Sequence, residues 1–394
     1  MRRGEVNGQP ATPSNTLSIC LVAGEASGDL HAADLARALR ALAPGITIAG
    51  MGGPQMRAAG VELLVDARET AVVGLTELWA RREALRGALR RLRSYLQVVR
   101  PALLICVDFP DFNLLLARTA HRLGVPVCYF ISPQVWAWRR GRVRVIRRLV
   151  QRMLVLFPFE EQLYRAAGVE VRFVGHPLLD ALADVPDRAT CRAALGLPAA
   201  GRVVGLLPGS RPAELQRHLP ILLGAGARVQ AQMPGTVLAL GLAPGLEERI
   251  GGVEMPAGVR IVKGRTHELM RASDLLLAAS GTVTLEAAIL GTPMIVTYRM
   301  AFLSWLVARL LVRVQFIGLP NLLAETAIVP ELIQFDATPD RLARTALEIL
   351  GSEERQARMR VALADVRERL GKPGAAQRAA QEVLSLLTSA RPPC

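Results

Sequence analysis

A chain of 394 residues with 51% hydrophobic and 21% charged residues has ample apolar surface for two cores, which excludes wholesale disorder. Its formal net charge of +14 rests almost wholly on arginine, Lys263 and Lys372 being the only lysines; this points to phosphate-bearing partners, although composition bias also explains the lysine shortage. Five cysteines, an odd number without a CxxC, argue against a disulfide framework or a zinc site and fit reduced thiols in a cytosolic chain.

Residues 1–16 are polar and lack an apolar core, so a disordered extension without a secretory signal is expected. Leu17–Ala23 reads as a strand entering the turn Gly24-Glu25-Ala26-Ser27-Gly28-Asp29, followed by a helix through Asp34–Leu42. Two acids suit this turn poorly to a dinucleotide pyrophosphate. Glu25, Ser27 and Asp29 offer groups that orient a sugar hydroxyl or accept a proton, with plain helix capping by Ser27 or Asp29 as the alternative. Ile46–Ala49 is the next strand, Leu78–Arg100 a long basic helix and Leu103–Val107 a third strand. Asp108 follows that strand directly, where a partly desolvated carboxylate has a raised pKa and works as a general base. Capping of the following helix, Leu114–Leu123, fits Asp111 or Asn113 better. Pro126–Ile131, Met153–Phe157 and Val171–Val174 read as strands, with the helix Arg139–Arg152 among them, opened by Trp136 and Trp138. Tryptophan beside arginine is the composition of a membrane-interface contact; solvated amphipathic helices packed on a sheet explain the same pattern.

Ala181–Ala200, rich in Ala, Pro and Asp, is a candidate linker between domains at 17–180 and 201–370, with a helical tail at 371–394. Val203–Leu207, Thr236–Leu240, Arg260–Val262, Leu275–Ala279 and Met294–Thr297 restart the strand–helix alternation. The fold class is therefore α/β: two Rossmann-like, doubly wound domains with a cleft between them. After the first of these strands come Ser210 and Arg211, where a guanidinium neutralises a departing diphosphate. After the fourth, Ser280-Gly281-Thr282 opens a helix whose free N–H groups, with the two hydroxyls, form a diphosphate cradle; Glu286 lies one turn further in, placed for a ribose diol. An ordinary capped helix with a dipole-matched acid reads the same residues. No DxD occurs, so neither a metal nor a cofactor is expected, and a basic group has to stabilise the leaving diphosphate. Ala301–Phe316 contains Arg309 and Arg313 and is too short to span a bilayer; acyl chains, a subunit contact or a plain core helix account for it.

Taken in order, AGEASGD at Ala23–Asp29, VDFPDFN at Val107–Asn113, ISPQVWAWR at Ile131–Arg139, FVGHP at Phe173–Pro177, LLPGSR at Leu206–Arg211, ASGTVTLE at Ala279–Glu286 and LPNLLA at Leu319–Ala324 resemble the lipid-A-disaccharide synthases. SGTxTLE is shared by many sugar-nucleotide enzymes; SPxVWAWR and LPNLLA are far more specific. The resemblance implies a glycosyltransferase-B fold and an inverting β(1→6) transfer from UDP-2,3-diacylglucosamine to 2,3-diacylglucosamine 1-phosphate. It implies an N-terminal domain for the acceptor and a C-terminal one for the UDP-sugar. Asp108 is then the base with Asp29 its rival, Arg211 stabilises the leaving UDP, and Glu25, Ser27, Ser210, Ser280, Gly281, Thr282, Glu286 and Asn321 bind substrate. It also implies a homodimer with exchanged C-terminal segments, cytoplasmic and peripheral to the anionic inner membrane, with no nucleic-acid partner. Phe109 departs from the family pattern, standing where a smaller residue is usual. The rival readings are a UDP-sugar 2-epimerase or muramyl-type transferase of the same architecture, or a non-catalytic nucleic-acid or membrane binder.

Overall fold

The computed structural model describes residues 17–70, 77–133, 135, 141–250, 252–256, 258–302, 305–306 and 315–389. Trp136, Trp138 and most of the stretch 301–316 lie outside them. The first lobe holds β1 (Ser18–Ala23), β2 (Thr47–Gly52), β3 (Glu62–Asp66), β4 (Leu103–Val107), β5 (Val127–Phe130), β6 (Arg152–Val155) and β7 (Val171–Phe173). These form one parallel sheet in the order β3-β2-β1-β4-β5-β6-β7. The second lobe holds β8 (Val203–Leu207), β9 (Val237–Leu242), β10 (Arg260–Lys263), β11 (Leu275–Ala279), β12 (Met294–Tyr298) and β13 (Glu331–Ile333), in the order β10-β9-β8-β11-β12-β13. Two Rossmann-like lobes are thus present. The central strands are uninterrupted apolar runs, buried on both faces because helices cover both sides of a parallel sheet.

In the first lobe α1 (Ala26–Leu42) and α2 (Pro54–Ala58) cover one face of the sheet. The other face takes α3 (Glu77–Val99), α4 (Pro110–Arg122), α5 (Arg142–Leu149) and α6 (Pro158–Ala166). Inside the segment read as a linker, α8 (Arg188–Ala194) follows a short α7 (Leu178–Ala181). Arg192 on α8 is buried against Asp274, 2.7 Å away, and also donates to the carbonyls of Ala272, Ala199 and Gly201, fixing the segment to the second lobe. That lobe continues with α9 (Pro212–Gln232), α10 (Thr266–Ala272) and α11 (Thr282–Ile289), then helices at Leu319–Ala324, Pro339–Leu350 and Glu353–Arg369. A last helix, Ala375–Ser389, returns to the first lobe and packs on α1 through Ala379, Ala380 and Val383.

The two passages of chain between the lobes run side by side. His176 N–H donates to the Leu370 carbonyl at 3.1 Å, Gly374 N–H to the Asp180 carboxylate at 2.6 Å, and Arg378 reaches the carbonyls of Val174 and Pro373. Phe157, just beyond β6, packs against the cores of both lobes, so the carboxyl edge of the first sheet faces the second lobe.

Arg152 secures the returning helix. Its guanidinium donates to Glu170 at 2.7 Å, to the Glu382 carboxylate at 3.0 Å and to Ser385 at 2.6 Å, with its own side chain 11% exposed. Both acids are part-exposed and also lie near Arg172, so Arg152→Ala chiefly removes the hydrogen bonds that hold the last helix and should cost about 1–2 kcal/mol. Denaturant titration measures that loss, and amide exchange should rise first over residues 375–389; unchanged exchange there would refute this anchoring role.

Candidate active site

Each sheet has one place where the strand order reverses, and crevices open at the carboxyl ends of the strands flanking such points. In the first sheet these strands are β1 and β4, followed by Gly24-Glu25 and by Asp108. Asp108 and Phe109 both adopt left-handed backbone, at φ 45° and 49°. A non-glycine residue held there signals strain of about 1–3 kcal/mol that the surroundings overcome. Those surroundings are explicit. The Asp108 carbonyl accepts from the Tyr129 hydroxyl at 2.6 Å and the Asn113 amide at 2.7 Å, and its N–H donates to Phe130 at 3.1 Å. Asn113 therefore turns back to brace the strand end, whereas Asp111 pairs with Arg142. Any side chain at Gly24 would overlap the Phe109 ring, which explains how this chain admits its unusual phenylalanine. Burial, reinforced by the charge of Glu25, raises the Asp108 pKa to about 6.

Asp29 has a different occupation. It is buried, and its carboxylate accepts from the N–H groups of Gly53 at 2.7 Å, Gln55 at 3.0 Å and Met56 at 3.1 Å. It supplies the acceptors that the start of α2 lacks. Glu25 and Ser27 are exposed at the amino end of α1. His31 is half-buried at the start of α1, where desolvation lowers its pKa.

In the second sheet the order reverses between β8 and β11. Gly209, Ser210, Arg211, Ser280, Gly281, Thr282 and Glu286 line one cavity of about 410 Å³ there. Gly281 stands at the head of α11, no side chain caps that helix, and the space above Gly281 is open. Arg211 is 79% exposed and reaches Glu214 at 3.2 Å, while Glu214 also accepts from the N–H groups of Ser210 and Arg211. An exposed pair of this kind is weak and exchanges readily for another anion.

The same cavity includes residues the sequence reading missed. His267, at the head of α10, lies 3.5 Å from Glu286, whose carboxylate raises the histidine's pKa. Tyr298 also lines it, and behind Tyr298 the buried His218 bridges two turns. Its Nδ1 donates to the Pro208 carbonyl at 3.0 Å and its Nε2 accepts from Arg299 N–H at 2.9 Å. Position beyond a strand end was a usable signal for His267; nothing local marked His218.

Two of the expected substrate contacts have hydrogen-bond partners inside the protein. The Ser280 hydroxyl donates to the Ile317 carbonyl at 2.9 Å, so in this structure its proton ties down a neighbouring loop while the residue still lines the cavity. Asn321 is fully buried and has no polar atom left for a ligand. Its amide donates to Val329 and to Glu331, both at 2.8 Å, and its carbonyl accepts from Ile328 and Val329. Glu331 in turn accepts from Ile317 and Gly318 N–H, so Asn321 positions the loop that Ser280 holds.

Residues 19–385 match the family model described as lipid-A-disaccharide synthetase. The chain belongs to the lipid-A-disaccharide synthetase family. It is 45% identical over 378 residues to the lipid-A-disaccharide synthase of Syntrophus aciditrophicus (strain SB), covering 95% of this chain and 98% of that relative. Among solved structures it is similar to S. aureus MnaA bound to UDP (TM-score 0.65, 12% identity, 95% of this chain and 98% of that one). It is also similar to the kitacinnamycin glycosyltransferase (TM-score 0.62, 19% identity, 94% and 99%). At such identities these likenesses establish the fold, glycosyltransferase-B.

Because Asn321 satisfies four hydrogen bonds inside the protein, Asn321→Ala should destabilise the fold by about 3 kcal/mol. Amide exchange over residues 315–318 should accelerate in the same variant. Wild-type stability with wild-type exchange would restore a direct role in ligand contact.

Proposed function

We propose that the chain transfers a 2,3-diacylglucosaminyl unit from UDP to the 6-hydroxyl of 2,3-diacylglucosamine 1-phosphate, releasing UDP and forming a β(1→6)-linked disaccharide 1-phosphate. The observation that carries this reading is a desolvated carboxylate, Asp108, at one switch point and an uncapped helix start, at α11, at the other. Ionised Asp108 takes the proton of the 6-hydroxyl as its oxygen attacks the anomeric carbon. The bond to the diphosphate breaks on the opposite face, so the configuration inverts. Its electron pair settles on the β-phosphate, where the N–H groups at the head of α11, the Thr282 hydroxyl and Arg211 meet the growing charge. Glu286, held by His267, is placed for the ribose hydroxyls. Asp29 already accepts three N–H bonds and is assigned to holding α2, which leaves Asp108 as the base.

The acylated nature of both substrates finds support in an exposed aromatic cluster of the second lobe. Phe302, Trp305 and Phe335 form an aromatic cluster past the ends of β12 and β13, with Phe302 57% and Phe335 66% exposed and Trp305 meeting Phe335 edge-on at 5.3 Å. Such surface suits acyl chains. Among the described residues no helix is long and apolar enough to cross a membrane. The reading extends to a chain that works as a homodimer on the cytoplasmic, anionic face of the inner membrane, where both substrates reside. Release of UDP only when both diacyl substrates are present separates it from an epimerase or a transferase of another acceptor.

Asp108→Asn should lower kcat by about 10²-fold or more with UDP affinity retained. Wild-type kcat/KM should fall as pH drops through about 6, and Glu25→Gln should move that limb to lower pH by removing a neighbouring negative charge. For an acid whose pKa is raised from 3.8 to about 6 in the fold, stability is complete below the lower value and lost as pH rises through the higher. Asp108→Asn should therefore gain up to about 3 kcal/mol at neutral pH. An acid limb that ignores Glu25, or Asp29→Ala removing turnover while Asp108→Asn does not, would move the base elsewhere.

Replacing Arg211 with Ala should reduce kcat/KM by about 10²-fold or more, as for loss of an electrostatic donor at the leaving group. Turnover assays with added magnesium should see no recovery, whereas full rescue would assign the charge to a metal.

A further inference from the structure

The cavity of the second lobe lies across the ends of three neighbouring strands, in the order β8-β11-β12. Pro208 follows β8, Ser280 follows β11 and Arg299 follows β12. The turn at Pro208–Arg211 and the exit at Tyr298–Met300 therefore wall the head of α11 from either side. Second-neighbour strands of a sheet stand about 10 Å apart. One side chain spans that gap. His218, with no exposed surface, joins the Pro208 carbonyl to the Arg299 N–H across the end of β11. Because Nε2 accepts an N–H, the ring is neutral and its proton sits on Nδ1, the atom that donates to Pro208. Burial favours the same uncharged form by lowering the His218 pKa.

Both ends of the bridge are firmly seated. His218 stands one helical turn beyond Glu214 on α9, so the two side chains share a face and meet the same turn from below. Glu214 accepts from the N–H groups of Ser210 and Arg211 while His218 donates to Pro208. Gly209, at φ 112°, is the residue this crowding requires, since a Cβ there would lie 2.5 Å from the Glu214 carboxylate. At the other end Gln334 exchanges two hydrogen bonds with Met300, each 3.1 Å, and its own N–H donates to the Tyr298 carbonyl at 2.8 Å. The Tyr298 ring rests against the imidazole, with centroids 5.2 Å apart, and lines the cavity. Arg211 is exposed beside an exchangeable partner, so the reach of its guanidinium is set by where the turn stands. His218 is enclosed, so any effect it has on a ligand passes through these two walls.

We propose that His218 is a positioning residue for the diphosphate: it holds the Arg211 turn at a fixed distance from Tyr298, so that the guanidinium meets an anion seated at the head of α11. This rests on the reading of the cavity as the UDP site. Asparagine reproduces the Nδ1 end of a histidine and glutamine the Nε2 end. His218→Asn therefore keeps the bond to Pro208 and His218→Gln the bond to Arg299, so each variant cuts the bridge at one end and retains a hydrogen bond that supports folding. Calorimetric titration of the full chain with UDP should show binding weakened about 10-fold or more in each, the loss of one hydrogen bond to a charged group. In an Arg211→Ala background the same substitutions should change UDP affinity by less than about 2-fold, because the group they misplace is gone. UDP bound at wild-type strength by either one-ended variant would overturn the proposal. So would an equal loss with and without Arg211, or failure of both variants to fold, each of which marks a support of the whole lobe. Absence of transfer between the two diacyl substrates, with the UDP cycle as expected, would sink the transfer reading and leave the role of His218 standing. A wild-type chain that does not bind UDP would sink both.

Discussion

A parallel sheet clothed in helices gathers the carboxyl end of each strand and the amino end of the next helix on one edge, and the free N–H groups there need acceptors. Several junctions of this protein meet that need with their own carboxylates. Asp29 serves the start of α2, Glu160 accepts from Phe157 at the start of α6, and Glu214 accepts from the turn before α9. The junction before α11 has no side-chain cap and opens on free space. Internal acids thus occupy some of these turns and leave others, α11 among them, without a side-chain cap. Of the filled ones, the turn held by Glu214 is the most exchangeable, because its carboxylate also neutralises the exposed Arg211 beside it.

The opposite edge of the cleft is organised by strain and not by vacancy. Left-handed backbone at two successive residues carries Asp108 away from the ladder of β4, and the price in conformational energy is met by bonds from Tyr129 and Asn113 to a single carbonyl. Phe109 then fills the space over Gly24, while burial and the charge of Glu25 both act on the Asp108 carboxylate. Burial and like charge act together, and both favour a group that holds a proton more tightly than an ordinary aspartate.

Much of this was legible in the residues. Central strands such as Leu103–Val107 and Leu275–Ala279 are unbroken apolar runs, and the polar residues just after them had to fall on the binding edge of each sheet. Edge elements were harder to read. β3 and β13 are short, only partly buried and carry acids, and neither was distinguished from loop. The linker reading failed to register α8 because Arg192 finds its partner, Asp274, eighty-two residues away. The internal partners of Asn321 were illegible for the same reason, since a motif reports that an amide matters without reporting which groups it meets. His218 likewise joins Pro208 to Arg299, two turns that meet only in the folded lobe.

The paired crossings between the lobes carry a mechanical consequence. A single tether would let one lobe swivel freely about the other. Here two adjacent segments, stitched by Asp180, Arg378 and the bond from His176 to Leu370, behave like the two leaves of a hinge. Bodies joined along a line rotate about that line and resist twisting or sliding, so opening and closing reduce to one angular coordinate. Because the last helix is clamped to the first lobe by Arg152, its far end moves with that lobe, and the axis lies close to residues 174–180 and 370–375. Small rotations there become larger displacements at the mouth of the cleft, while the registration of the two sheet edges is preserved.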